Sequence, residues 1–414
     1  MRRLAGLWAL CLLLVATTTL EAQTKDEFFF KSGDRVLFLG DSITEQYQYS
    51  TDIELYLTTR FPKWNLVFLN AGIGGDTATG GNNRFTNHVL AEKPTAITIN
   101  FGMNDGGYGA FNPGARDNYA KNTEGMLTAA KAAGVRVALV SPNAVDTRIQ
   151  ERFKLYLETQ KQFYEPLQGL AAKNGAAFVD QYAVTRRAIE KMQSDGATKV
   201  VPFGDGFHTA PSGGLLMAHS ILVGLHAPAL VSNVEIQVAG AQAKTQACAV
   251  ENLKATADSV AFDRTDEALP LPVQNDWVSL LPYVNDLKDL NSYGLKVSGL
   301  TAGKYALAID GFDVGEYTAE QLAAGVNLGN LTAGPIHEQG QKVVAAINAK
   351  NDIVHKRFRG VVMFQNPPDW LADVYAERKP KELAKRMEQI TEKQAEVYQL
   401  AQPVKHRFEL KAKN

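Results

Sequence analysis

Arg35-Val36-Leu37-Phe38-Leu39-Gly40-Asp41-Ser42-Ile43-Thr44 is an apolar, β-favouring run that stops at a glycine and then delivers a serine. An apolar run without polar alternation reads as a strand buried on both faces, the habit of parallel sheets. Ser42 then stands at the carboxyl edge of that strand, where open parallel sheets place their ligands. At a strand-to-helix turn a serine can expose its hydroxyl and turn its own N–H into the same pocket. The same residues also suit a plainer role, in which Asp41 or Ser42 only caps a helix.

Outward from this strand the pattern repeats. β-rich apolar runs recur at residues 66–69, 96–101, 136–140 and 177–179. Helical stretches fall near 51–60, 119–133, 147–174 and 182–193, and one more should follow Pro211. Strands alternating with helices predict an α/β fold whose parallel sheet is covered on both faces. The character changes near Val231. Alternating runs such as Val234-Glu235-Ile236-Gln237-Val238, separated by turn signals such as Asp310-Gly311, predict a β-rich unit over 232–335. After Pro335 the spacing turns helical again over 341–357 and 381–400. There Leu383, Met387 and Ile390 form an apolar face that needs a partner. The expected organisation is a signal peptide at 1–22, a catalytic domain at 23–231, the β-rich accessory unit at 232–335 and a helical C-terminal region at 336–414.

Three further blocks carry polar groups at strand ends. Leu69-Asn70-Ala71-Gly72-Ile73-Gly74-Gly75-Asp76-Thr77 clusters glycines whose N–H groups can approach a ligand, but the spacing is not that of a dinucleotide loop. Gly102-Met103-Asn104-Asp105 puts an amide after the third strand, able to donate to a developing oxyanion or simply to make a turn. Gly204-Asp205-Gly206-Phe207-His208 spaces a carboxylate and an imidazole so that a turn can join them, leaving the second ring nitrogen for a hydroxyl. Each block alone has an ordinary structural explanation.

Taken in order, Gly-Asp-Ser, Gly75, Gly-Met-Asn-Asp and Asp-x-x-His resemble the SGNH (GDSL-type) hydrolase family over about residues 34–228. The resemblance implies a three-layer, flavodoxin-like α/β fold. It implies Ser42 as nucleophile, His208 as general base and acid, and Asp205 as the group that orients the ring. It implies an oxyanion hole made by the N–H groups of Ser42 and Gly75 and the side chain of Asn104, with Gly74 the alternative to Gly75. Ile43 stands where the family usually carries Leu, which changes no chemical role. Such an enzyme needs no cofactor. A metal site is not suggested either, because His208, His219 and His226 are widely spaced and His337-Glu338 lacks a second histidine three residues on.

A chain of 414 residues with 45% hydrophobic and 21% charged residues can bury a full core, which excludes disorder, collagen and coiled coil as descriptions of the whole. With 43 Lys+Arg against 44 Asp+Glu, nothing in the bulk charge suggests nucleic acid as a partner. Arg2 and Arg3, the apolar stretch 4–16 and the small-residue run ending at Ala22 read as a secretory signal, too short to span a bilayer. Export to the periplasm or beyond is therefore expected, with no membrane span after cleavage. Cys248 is then the one cysteine left; it reads as a small packing residue rather than a nucleophile.

These features point to an exported serine esterase acting on carbohydrate or other small-acyl esters. A lysophospholipase or thioesterase is the alternative, and a non-catalytic carbohydrate-binding protein on this fold is the reading of another class. Aromatics in the loop 105–112 should border the pocket. In the β-rich unit Trp277, Tyr283 and Tyr293 are candidate sugar platforms, though aromatics in strands more often pack in the core.

Overall fold

The computed structural model describes residues 27–365 and 367–413. The signal segment 1–22 and Cys11 lie outside the described residues. Strands Arg35–Gly40 (β1), Val67–Gly72 (β2), Ala96–Asn100 (β3), Arg136–Val140 (β4) and Ala177–Val179 (β5) form a sheet in the order β2-β1-β3-β4-β5. Every pairing in it is parallel. All five residues of β3 are buried. Because successive side chains point to opposite faces, that burial needs cover on both sides.

Helices Ser42–Glu45 (α1), Gln48–Arg60 (α2), Ala78–Arg84 (α3), Pro113–Ala132 (α4), Lys154–Tyr164 (α5), Leu167–Asn174 (α6), Gln181–Ser194 (α7) and Pro211–Gly224 (α8) surround the sheet. Among them α2 packs on α8, and α4 packs on α3 and α6. The single helix expected over 147–174 is divided, since Pro166 has no N–H to donate and stands between α5 and α6. Gly72 closes β2 against α1: a Cβ there would come within 2.3 Å of the Glu45 nitrogen. The chain crosses from β2 past β1 to β3, so the strand order reverses at β1. The carboxyl ends of β1, β2 and β3 therefore open into one crevice.

The β-rich part is two packed sheets. Leu230–Gln237 (β6), Gln242–Gln246 (β7), Cys248–Thr256 (β8), Ser259–Asp266 (β9), Ser292–Ser298 (β10), Lys304–Ile309 (β11), Phe312–Thr318 (β12) and Val326–Asn327 (β13) contribute, with the short helix Ala319–Ala324 (α9) after β12. A ninth strand, His406–Ala412 (β14), comes from the chain end. The sheets run β13-β10-β6-β7 and β12-β11-β14-β9-β8. Val234, Ile236, Leu295 and Val297 of one meet Val260, Phe262, Leu307, Phe408 and Leu410 of the other in a shared core.

β14 corrects the expectation of a purely helical C-terminal region. It fills the gap between β9 and β11, with His406, Phe408 and Leu410 turned inward. Seven residues of period-two alternation after a long helical pattern carry little weight on their own; the open edges of β9 and β11 decide their conformation. Two of the proposed sugar platforms are also corrected. Trp277 is 2% and Tyr293 1% exposed, so both are core residues. Tyr283 stays partly exposed, with the Lys191 ammonium 5.7 Å from its ring centre. Cys248 is half-buried, and burial pushes its thiol up, away from the reactive thiolate.

Helices Pro335–Arg357 (α10) and Ala372–Leu400 (α11) pack on each other and, through α10, on α2 and β2. Their apolar faces, including Val343, Ile347, Val354, Ile390 and Val397, belong to the same core as the parallel sheet. Leu383 and Met387 rest partly buried against it. The polar contacts across this junction are also buried. Lys350 Nζ lies 2.5 Å from Glu54 Oε1, with 0% and 1% of the two side chains exposed. The Leu66 N–H donates to the Tyr398 hydroxyl at 2.8 Å, and Asn351 donates to Thr51 at 3.0 Å.

Candidate active site

At the end of β1, Asp41 caps α1 by accepting the Ile43 N–H at 3.0 Å. The plainer sequence reading of this turn, a cap, falls to Asp41, which leaves the Ser42 side chain free for another partner. Ser42 Oγ lies 2.7 Å from His208 Nε2. On the other side of the ring, His208 Nδ1 lies 2.7 Å from Asp205 Oδ2. The second Asp205 oxygen accepts the N–H groups of Phe207 at 3.2 Å and His208 at 2.8 Å. The spacing of three residues works because this carboxylate folds the backbone turn that carries the ring. Partial burial pushes the Asp205 carboxyl up, but the His208 ring and those two N–H donors outweigh it and hold it below its ordinary value. Asp205 therefore faces the ring as an anion.

Ser42 opens α1, so its N–H has no acceptor within the helix. In the loop after β2, the Gly74 N–H is taken by Glu45 Oε2 at 2.5 Å. The Gly75 N–H has no acceptor among the described residues, and its φ of +75° suits a glycine. Asn104 donates one amide hydrogen to the Asp76 carbonyl at 2.8 Å and accepts the Tyr108 hydroxyl at 2.8 Å. Its second amide hydrogen remains for another acceptor. The site thus gathers a hydroxyl, an imidazole, a carboxylate and N–H donors at the carboxyl ends of β1, β2 and β3. Such a set can move a proton off a hydroxyl and stabilise an oxyanion.

Several supporting residues carry no signal in the sequence. Gln46 Oε1 accepts the N–H and hydroxyl of Thr209 at 3.2 and 3.0 Å, tying the histidine loop to the serine helix. Asp105 bridges the N–H groups of Ala78 and Gly102, at 3.0 and 3.1 Å, and burial pushes its carboxyl up to about 6. Asp41 is pushed up to about 7, again by burial first. The Gln46–Thr209 and Asp105–Ala78 contacts join segments 163 and 27 residues apart, whereas the sequence already offered Asp41 as a helix cap.

Tyr108, Arg152, Phe153 and Phe207 line an open cavity of about 390 Å³. Phe207 adjoins His208, their ring centres 4.2 Å apart, so the cavity borders the imidazole. Tyr108 sits at φ +58°, a left-handed conformation unusual for a bulky side chain. Its ring packs 5.0 Å from Phe207 and 5.7 Å from Phe153 while its hydroxyl holds Asn104. The loop 105–112 borders the cavity through Tyr108, whereas Phe111 turns to the Arg116 guanidinium 5.6 Å away. A second pocket, where Pro272 and Leu328 of the β-rich part meet Pro335 of α10, holds only about 20 Å³. That is room for about one water molecule and not for a sugar. Among the described residues no three His, Cys, Asp or Glu side chains gather as metal ligands, and no helix is long and apolar enough to cross a membrane.

Residues 38–213 match the model of the GDSL-like lipase/acylhydrolase family. This segment is a GDSL-type ester hydrolase domain. An acetylxylan esterase of Geobacillus stearothermophilus is 21% identical over 212 residues, which cover 46% of this chain and 93% of that one. The crystal structure of that esterase aligns over 48% of this chain and 96% of its own, at 21% identity and a TM-score of 0.41. The structure of a gut microbial diltiazem-metabolizing enzyme is 26% identical, with a TM-score of 0.80. That alignment spans 94% of this chain and 99% of the other, so the sheets and helices beyond residue 213 are shared with an enzyme.

Proposed function

We propose that this protein is an exported serine esterase that removes small acyl groups from carbohydrate esters through an acyl-enzyme on Ser42. The observation that carries this reading is the unbroken series Ser42–His208–Asp205, with 2.7 Å at each link. Ser42 Oγ attacks the ester carbonyl while His208 Nε2 takes its proton. The new Oγ–C bond leaves an oxyanion facing the N–H groups of Ser42 and Gly75 and the amide of Asn104. The tetrahedral species collapses, the C–O bond to the alcohol breaks, and His208 returns its proton to the departing oxygen. Water, deprotonated by His208, then attacks the acyl-enzyme and releases the acid and Ser42. Gly75 is favoured over Gly74 because Glu45 already occupies the Gly74 N–H.

The preference for a small acyl group and a sugar rests on the cavity. Phe207 beside His208, with Tyr108 and Phe153 packed against it, suits the apolar face of a sugar ring, and the cavity they line is open. The acetylxylan esterase relative supports the same substrate class. We take 23–231 as the catalytic unit, with α10 and α11 packed into its core, and 232–335 as the β-rich accessory unit, to which 406–412 adds a strand. Rates on p-nitrophenyl esters of rising chain length, beside acetate release from acetylated xylan, test the assignment. A preference for long chains would favour the lysophospholipase reading instead.

Asn104→Ala should lower kcat by about 10²–10³-fold with little change in KM, since the amide meets negative charge mainly in the transition state. A pure KM effect would mark Asn104 as a ground-state contact. Asp205→Asn should lower kcat/KM by roughly 10³–10⁴-fold. The reason is that Asp205, held as an anion 2.7 Å from Nδ1, orients the ring and offsets the charge it gains in the reaction, and the amide does not. A loss of less than tenfold would show that Asp205 does not act on the ring.

A further inference from the structure

A carboxylate without a catalytic role sits against the oxyanion loop. Glu45 ends α1, three residues after Ser42. One of its oxygens accepts the Gly74 N–H at 2.5 Å. The other lies 2.9 Å from Arg359 Nε and 3.6 Å from His355 Nε2. His355 belongs to the last turn of α10, and Arg359 to the π-helical turn Phe358–Val362 that follows it. Both lie well outside residues 38–213.

The same turn reaches the other side of the loop. The Arg84 guanidinium lies 5.9 Å from the centre of the Phe358 ring. Arg84 binds Asp76 at 2.8 Å and the Ala71 carbonyl at 2.8 Å, and it is buried. The Asp76 carbonyl in turn receives the Asn104 amide at 2.8 Å. Gly74 is thus held through Glu45 and Asn104 through Arg84 and Asp76, and both supports meet the turn after α10.

The charge at Glu45 matters as much as its hydrogen bond. The Gly74 N–H lies one peptide before that of Gly75, in a turn closed by the Asp76 N–H donating to the Ile73 carbonyl at 3.1 Å, so anchoring Gly74 helps to set the direction of the Gly75 N–H. A carboxylate without a partner at that place would repel the oxyanion as it forms. A guanidinium on its far oxygen offsets that repulsion and holds the side chain in one position. We infer that Arg359 and Glu45 are a positioning pair for the oxyanion loop, so that the C-terminal helical hairpin completes the esterase site. The inference rests on the roles of Ser42, Gly75 and Asn104 proposed above.

In the full chain, Arg359→Ala should lower kcat for a small soluble ester by about ten- to a hundredfold while KM stays within about twofold. The double variant R359A/E45Q should regain most of that loss, because the glutamine carbonyl still accepts the Gly74 N–H and needs no counter-charge. Thermal midpoints are measured for each variant, and Ser42→Ala is assayed beside them. A kcat loss that E45Q does not relieve, and that follows a lowered midpoint, would reduce Arg359 to packing and overturn the pair. Wild-type kcat in R359A would overturn it too, and a change in KM alone would make Arg359 a substrate contact instead. If S42A is inactive while R359A is unaffected, only the positioning pair fails. If S42A keeps its activity, the reading of the site fails and the pair falls with it.

Discussion

Ser42→Ala should cut ester hydrolysis by about 10⁴–10⁶-fold and leave the fold intact. The Ser42 hydroxyl is half-buried at the mouth of the sheet, and its side-chain hydrogen bond goes to His208. Removing it therefore opens no cavity in the core and leaves the imidazole accessible to water. The loss falls on the chemical step, since no other hydroxyl stands in that position on the ring. Turnover of p-nitrophenyl acetate, with the thermal midpoint as a control for folding, measures both halves of the expectation. Retention of a tenth of the wild-type kcat would exclude Ser42 as the nucleophile. Wild-type protein treated with a serine-directed phosphonate should gain one label, and S42A should gain none.

Lys350→Met should destabilise the protein by about 3–5 kcal/mol. Methionine keeps most of the volume and the apolar contacts, so the loss isolates the charge. Lys350 and Glu54 are both out of water and 2.5 Å apart, and they join α10 to α2. Burial pushes the Glu54 carboxyl up, and Lys350 opposes that shift. Without Lys350 the carboxyl must be buried as a lone anion or take up a proton, and taking up a proton costs more as the pH rises. The penalty should therefore be smaller in acid and grow towards neutral and alkaline pH. Replacing both partners, in E54L/K350M, should return stability to about the wild-type level, because two apolar groups leave no charge unpaired. Denaturant midpoints at two pH values measure this. A K350M loss below about 1 kcal/mol at neutral pH would show that the pair adds little to the junction.

This junction is also where reading the chain in order falls short. The parallel sheet is legible from residue 35 onward because its strands are continuous apolar runs, and their ends are marked by glycine and small polar residues. The four blocks holding Ser42, Gly75, Asn104 and His208 are legible for a related reason. Ser42, Gly75 and Asn104 each come just after a strand, so their positions in the chain reveal their positions in space, whereas His208 lies between α7 and α8 and is marked only by the carboxylate three residues before it. The apolar face of Leu383, Met387 and Ile390 likewise announces that α11 needs a partner, without saying which one.

What the sequence by itself determined, then, is local: where strands stop, which side chains stand at their ends, and which helices must be covered. Only the tertiary structure decided which distant segments meet. It made β14 a strand by offering it two open edges, and it buried Trp277 and Tyr293 in cores rather than leaving them to a ligand. It also brought Arg359 to Glu45, 314 residues apart in numbering, beside the glycine loop. The physical reason is that short-range patterns fix backbone conformation through hydrogen bonding and burial period. A long-range contact depends instead on which complementary surfaces remain once each element has formed.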